Sequence, residues 1–156
     1  MSILNILTVG NDIGTLADKA IDLTKADILS SKIQTLIEDM KDTCHSVGGL
    51  GLAACQVGAP ANLCVYFDLT SSRLEALINP VIIKKKDKFH SKGEGCLSLP
   101  DRRFNVKRYK KIWITGLDEH GEEVEIITRS KQLAKILQHE VDHLNGITLD
   151  TKGKEI

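Results

Sequence analysis

The stretch from Lys131 to Leu144 constrains this chain more than any other, because it reads as one helix with a charge where an apolar residue belongs. With side chains about 100° apart around the axis, Leu133, Ile136, Leu137 and Leu144 share a face. Ser130 is placed to cap the start, and Asn145-Gly146 to stop the end. Glu140 falls in the middle of the apolar face, with His139 and His143 on its flank one turn apart. A carboxylate there is costly to bury unless it has a partner or keeps its proton. Two imidazoles four residues apart point to a metal as that partner. The string His139-Glu140-Val141-Asp142-His143 fits H-E-x-x-H, in which both His side chains bind one metal and the Glu handles the protons of a water. A chance match on a polar helix face is the plain alternative, and the apolar setting of Glu140 weighs against it. Asp142 points the other way, as a surface charge or as an acceptor behind the ligands.

Two imidazoles do not complete a catalytic site, which normally has three protein ligands and one open position. The extended pattern H-E-x-x-H-x-x-G-x-x-H would put the third at position 149, where this chain has Leu149. Of acidic residues only Asp150 and Glu155 follow, in a tail that reads as too short to fold back as a helix, so the third ligand is expected upstream. Cys96, in Gly93-Glu94-Gly95-Cys96-Leu97-Ser98, is the best candidate, since small neighbours let the backbone come close to a metal or substrate. Cys55, after Ala53-Ala54, reads as tight packing, and Cys44 as core. His45, His90 and His120 read as exposed.

The remaining sequence frames this helix. At 156 residues the chain suits one domain, 1–156, with a real core. A second helix is expected near 28–46, starting at Asp27 or Ser30, with Ile33, Leu36, Ile37, Met40 and Cys44 at helical spacing and Gly48-Gly49 after it. Residues 63–67, 77–78, 81–83 and 111–117 read as strands, with Asp118-Glu119-His120-Gly121 as a hairpin turn and 123–128 as the return. Pro60 and Pro100 are expected in loops. The class is therefore α+β, mixed or antiparallel strands packed around the C-terminal metal-binding helix.

Lys+Arg and Asp+Glu both count 21, so there is no basic excess to suggest a nucleic-acid or acidic-membrane partner. Lys84-Lys85-Lys86 and Arg102-Arg103 read as solvated surface. No apolar run approaches the roughly 20 residues a bilayer needs, and no signal peptide is expected at the N-terminus. Irregularly spaced Cys44, Cys55, Cys64 and Cys96 fit a reducing, cytoplasmic home.

Three segments in order resemble peptide deformylase: Gly49-Leu50-Gly51-Leu52-Ala53-Ala54-Cys55-Gln56, Glu94-Gly95-Cys96-Leu97-Ser98, and Gln138-His139-Glu140-Val141-Asp142-His143-Leu144. The resemblance implies a metal held by Cys96, His139 and His143, and removal of the N-formyl group from polypeptides starting with formylmethionine. It implies Fe²⁺, with Zn²⁺, Ni²⁺ or Co²⁺ as substitutes; the N and S donors alone would suggest Zn²⁺. Glu140 would move the proton, and the Gln56 amide with the Leu97 backbone N–H would bind the developing oxyanion. By residue type alone, Gln56 reads as an exposed loop amide. Gly49, Gly51 and Gly95 would let the substrate backbone lie close; Leu50, Glu94, Ile136 and Leu137 would wall the methionine side chain; Arg103 would pair with Glu94 or meet the peptide.

The chain departs from the family pattern at Thr8-Val9-Gly10-Asn11-Asp12, which lacks a proline-containing opening, so a different packing of the early segment is expected. Its end soon after the metal helix speaks against ribosome docking through a further helix. It also fits phage or organellar relatives as well as bacterial ones. Gln132 and Lys135 make the start of the metal helix polar, which points to an altered side-chain preference. The competing readings are another H-E-x-x-H metallopeptidase, or a metal-stabilised binding module without catalysis.

Overall fold

In a computed structural model of the protein, which describes residues 2–11 and 14–156, one antiparallel sheet runs through the molecule with a helix on each face. Met1, Asp12 and Ile13 lie outside the described residues, so the expectation for segment 8–12 is tested only as far as Asn11.

Two helices occupy the region where one was expected. The first, α1 (Lys25–Leu29), is capped by Thr24, which trades hydrogen bonds with Asp27 in a capping box. Asp27 is thus inside a helix rather than its cap. Ser30, in extended backbone, ends α1 and caps α2 (Ser31–Ser46) through Ile33 N–H. Gly48, at φ 64°, stops α2 in a conformation that suits glycine.

The sheet order is β1 (Gly51–Ala53), β2 (Leu63–Asp68), β3 (Arg73–Cys96), β4 (Leu99–Leu117) and β5 (Glu123–Ile127). β3 and β4 are far longer than the apolar runs predicted. β3 passes through Pro80 by a bulge in which Asn79 takes φ 50° and its side chain bonds Leu23. It then continues through Lys84-Lys85-Lys86, whose exposed side chains leave the pairing to the backbone. Pro100 sits at the start of β4, not in a loop, because Leu97-Ser98 makes the tight connection.

The helices cover opposite faces of this sheet. On β2, Cys64 and Tyr66 pack with Leu133, Ala134, Ile136 and Leu137 of α3 (Lys131–Leu144). Alternate residues Leu63 and Val65 pack with Ile33, Ile37, Met40 and Cys44 of α2. A strand buried on both faces has a continuous apolar run, as 63–67 does. Leu137 is fully buried in this core, so it is not a wall of any open site.

The tail folds back, contrary to expectation. A short helix, α4 (Leu149–Lys152), buries Leu149 against Leu99, Phe104 and Val106, and β6 (Lys154–Glu155) pairs with β4. Its four residues suffice because burial of Leu149, not helix propensity, holds it. The early segment is also tied in: Leu7 N–H donates to Gln56 O at 2.7 Å and Val9 N–H to Ser98 O at 2.9 Å. No helix among the described residues is long and apolar enough to cross a membrane.

Candidate metal centre

Three elements meet at one end of the sheet. α3 is capped by Ser130, whose hydroxyl accepts from Leu133 N–H at 3.0 Å, and it presents His139, Glu140 and His143. β3 brings Cys96 through two register shifts, Ser91/Glu94 and Glu94/Cys96, the kind of bulge that re-aims a side chain. A 3₁₀ turn, Ala54–Val57, brings Gln56.

Cys96 Sγ lies 3.2 Å from His143 Nε2, which lies 3.1 Å from His139 Nε2. These three ligand atoms fall within 4.8 Å of one another. Glu140 is buried beside them, and its Oε2 has no hydrogen-bond partner among the described residues. A thiol sulfur and two imidazole nitrogens converging next to an unpartnered buried carboxylate oxygen fit a divalent cation with one open position. β1 approaches so closely that a Cβ on Gly51 would collide with the Glu140 carboxylate.

The electrostatics follow from burial and from a buried cation. Arg108 is 1% exposed and donates to Glu94 at 2.8 and 3.1 Å and to Asp142. His139 Nδ1 lies 3.6 Å from Glu94. Burial by itself would raise the Glu94 carboxyl, but hydrogen bonds from His139 and Arg108 hold it down at about 2. Burial also opposes charge on His139, yet Cys96 and Glu94 outweigh it and raise the imidazole to about 10. His143 goes the other way, held neutral by burial and by the positive charge of His139 and Arg108. Burial raises Glu140 to about 7. A cation held by His139 and His143 would need both imidazoles neutral, and it would take the place of the proton that Cys96 and Glu94 favour on His139.

Gln56 is buried, not the exposed loop amide its type suggests. Its Oε1 accepts from Ala53 N–H at 2.9 Å, which turns Nε2 toward Ser98 Oγ at 3.0 Å and Cys96 Sγ at 3.6 Å. A cleft of about 620 Å³ opens over this cluster. Gly49, Leu50, Gly51 and Leu97 border it on one side, Glu94, Gly95 and Arg103 on another, and Ile136 on the α3 side. Arg103 does not pair with Glu94; its guanidinium lies over Gly95. Arg108, which does pair with Glu94, was missed by sequence reasoning. Its only signal was its place in the alternation with Phe104 and Val106, where a buried position carries a charge. Asp142 is an acceptor behind the ligands, bonded to Arg108 and Lys152. Cys44 and Cys55 are core, and His45, His90 and His120 are exposed, as expected.

The family model described as polypeptide deformylase matches residues 3–154. A peptide deformylase of Syntrophomonas wolfei is 39% identical over 155 residues, covering 99% of this chain and 96% of the relative. One from Aquifex aeolicus is 42% identical over 130 residues, covering 80% of this chain and 75% of the relative. A crystal structure of a peptide deformylase from Legionella pneumophila superposes with a TM-score of 0.85 at 34% identity, covering 96% of this chain and 86% of that one. A Met-Ala-Ser-bound class I type b peptide deformylase from Acinetobacter baumannii gives 0.86 at 29% identity, covering 97% and 98%. With a family match along nearly its whole length and a Cys-His-His cluster at its centre, this chain belongs to the peptide deformylase family of metal-dependent hydrolases.

Proposed function

We propose that residues 1–156 form one catalytic domain that removes the N-formyl group from peptides beginning with formylmethionine. The observation that carries this reading is the convergence of Cys96, His139 and His143 beside the unpartnered oxygen of Glu140. Cys96, His139 and His143 would hold the metal, which we take to be Fe²⁺ by family resemblance, with Zn²⁺, Ni²⁺ or Co²⁺ as substitutes. Such a cation polarises a carbonyl oxygen and makes hydroxide available near neutral pH.

Glu140 accepts the proton of the attacking water as its oxygen adds to the formyl carbon. When the C–N bond breaks, Glu140 returns that proton to the departing nitrogen, leaving formate and a free amino terminus. Gln56 Nε2 and the backbone N–H of Leu97 donate to the formyl oxygen as it gains charge; a donor of this kind is worth roughly 10²–10³ in rate. Glu94, anchored by Arg108, fixes the ring of His139 through Nδ1 and leaves Nε2 for the metal. Gly49, Gly51 and Gly95 let an extended peptide lie against the backbone, with Leu50 and Ile136 beside its methionine and Arg103 near its main chain. Nascent chains in the cytoplasm, or in an organelle that starts synthesis with formylmethionine, are the expected substrates.

The test offers formyl-Met-Ala-Ser, acetyl-Met-Ala-Ser and Met-Ala-Ser to anaerobically prepared, iron-loaded protein. Formate from the first, and no cleavage of the others, is expected. Cleavage of internal peptide bonds in the unformylated peptide would instead favour a peptidase.

A further inference from the structure

The formal charge of the chain is zero, yet its charges are not spread evenly. β2 pairs with β3 over residues 73–78, and past that point β3 continues with β4 as a two-stranded ribbon. β5 joins β4 from Trp113 onward and β6 at Phe104 and Asn105, so no third strand flanks the stretch between them among the described residues. In that stretch four of the five residues 84–88 are lysine, and so are three of the five residues 107–111. All seven lysines are exposed. Asp87 is the one exposed carboxylate among them, and Arg108 is buried and committed to Glu94 and Asp142. Glu123 and Glu125 of β5 lie past the end of the stretch, opposite Leu117 and Thr115.

This arrangement works against the fold. Lys86 stands directly opposite Lys111, and like charges facing each other across two strands are destabilising. Lys84 Nζ lies 4.6 Å from the centre of the Trp113 ring and Lys111 Nζ 5.0 Å, so one ring holds two ammonium groups. Lys85 Nζ lies 5.4 Å from the centre of the Tyr109 ring. An aromatic face attracts each ammonium but leaves its charge uncompensated. None of the seven has a carboxylate ion-pair partner among the described residues, whereas Lys25, Lys41 and Lys152 each have one.

We propose that this ribbon binds a nucleic-acid strand through its phosphates, without reading its bases. A β-strand advances about 3.4 Å per residue, so Lys84 to Lys88 spans about 14 Å. A nucleic-acid strand carries one phosphate per about 3.4 Å of helix axis, so about four phosphates fall along that length. An isolated acidic side chain would meet only one or two of these lysines. Bases are read by Arg, Asn and Gln side chains, and the stretch exposes none of them. A lipid surface is the other extended polyanion. The ring suited to enter it, Trp113, is half-buried under two ammonium groups, and the exposed Val81 and Ile83 sit at one end, before the lysines. None of the residues 84–88 or 107–111 lines the cleft over the metal centre, so binding here is independent of the reaction.

The test titrates dye-labelled oligouridylate and oligothymidylate, each about 20 nucleotides long, with the metal-loaded protein and follows fluorescence anisotropy. Both are expected to bind with micromolar Kd at low salt and within about 3-fold of each other, since only phosphates are met. Affinity should fall on the order of 100-fold between about 0.05 and 0.3 M salt, the slope of roughly four phosphate contacts on a single strand. Lys86→Glu/Lys111→Glu should weaken binding by at least about 10-fold, and Lys86→Gln/Lys111→Gln by about 3-fold, with far-UV circular dichroism unchanged. Lys19→Glu/Lys32→Glu carries the same change in net charge at exposed positions elsewhere and should cost less than about 2-fold. Absence of binding at low salt, affinity indifferent to salt, or equal losses in the ribbon and control variants would overturn the proposal. Capture by phosphatidylserine vesicles without binding of either oligonucleotide would also overturn it, assigning the ribbon to a membrane surface instead.

Discussion

Glu140 has to be buried for its carboxyl to keep affinity for a proton, yet close enough to the cleft to exchange one. Burial accomplishes the first, raising it to about 7, and the close approach of Gly51 holds it in place. Glu140→Ala should keep one metal per chain by elemental analysis while formate release falls by about 10²–10⁴; wild-type rates would remove Glu140 from proton transfer. Cys44 shows a second consequence of burial. Burial, reinforced by the charge of Glu140, pushes its thiol up to about 12 from an ordinary 9.0. Below pH 9 both folded and unfolded chains keep this proton. Between about pH 9 and 12 the unfolded chain loses it first, so the folded state loses stability as pH rises. Thermal unfolding across that window should show the decline, with a shallower slope in Cys44→Ala.

Elements meet in this fold through a few contacts that no pattern of hydrophobicity announces. Arg108 of β4 ties the end of β3 to α3 through Glu94 and Asp142, and Asp142 in turn takes Lys152 of α4. Arg108→Leu leaves two carboxylates without their buried cation and should cost about 3–5 kcal/mol in denaturant unfolding. It should also weaken metal retention about 10- to 100-fold in a chelator competition, because His139 loses its anchored neighbour. The end of α3 depends on Gly146, at φ 73°, where a Cβ would stand 2.6 Å from Ala17 O. Gly146→Ala should cost about 1–3 kcal/mol, lowering Tm by on the order of 5 °C. The two long helices, α2 and α3, were legible because Ser130, Ser30, Gly48 and Gly146 mark their ends and apolar spacing marks their faces; α1 was not set apart from α2, since Thr24 and Asp27 cap a helix of only five residues. The length of β3 and β4 was not, because Lys84 to Lys88 keep their backbone pairing while showing only charge on the outside. Arg108 was hidden for the opposite reason: an arginine in an alternating strand reads as solvent-facing until its two carboxylate partners are known.

Across the whole molecule the ligands come from residues 96 to 143, and the sheet is what makes them neighbours. α3 packs one face of β2 and β4, and β3 ends at Cys96 after bulges that turn it under the helix. The candidate site was legible because its residue types are scarce and closely spaced, His139 to His143 within about one turn and Cys96 directly after Gly93-Glu94-Gly95. The folded-back tail was not, because four helical residues have no periodicity to detect and Leu149 shows its role only once Leu99, Phe104 and Val106 are in place. The central claim is that one divalent metal at Cys96, His139 and His143 makes this chain a deformylase. The direct test titrates metal-stripped protein with Fe²⁺ under anaerobic conditions while following formate release from formyl-Met-Ala-Ser. Activity should rise in proportion to added metal and break at about one equivalent per chain, and Cys96→Ala should abolish the rise. Absence of formate at every loading, or an undiminished rise without the Cys96 thiol, would contradict it.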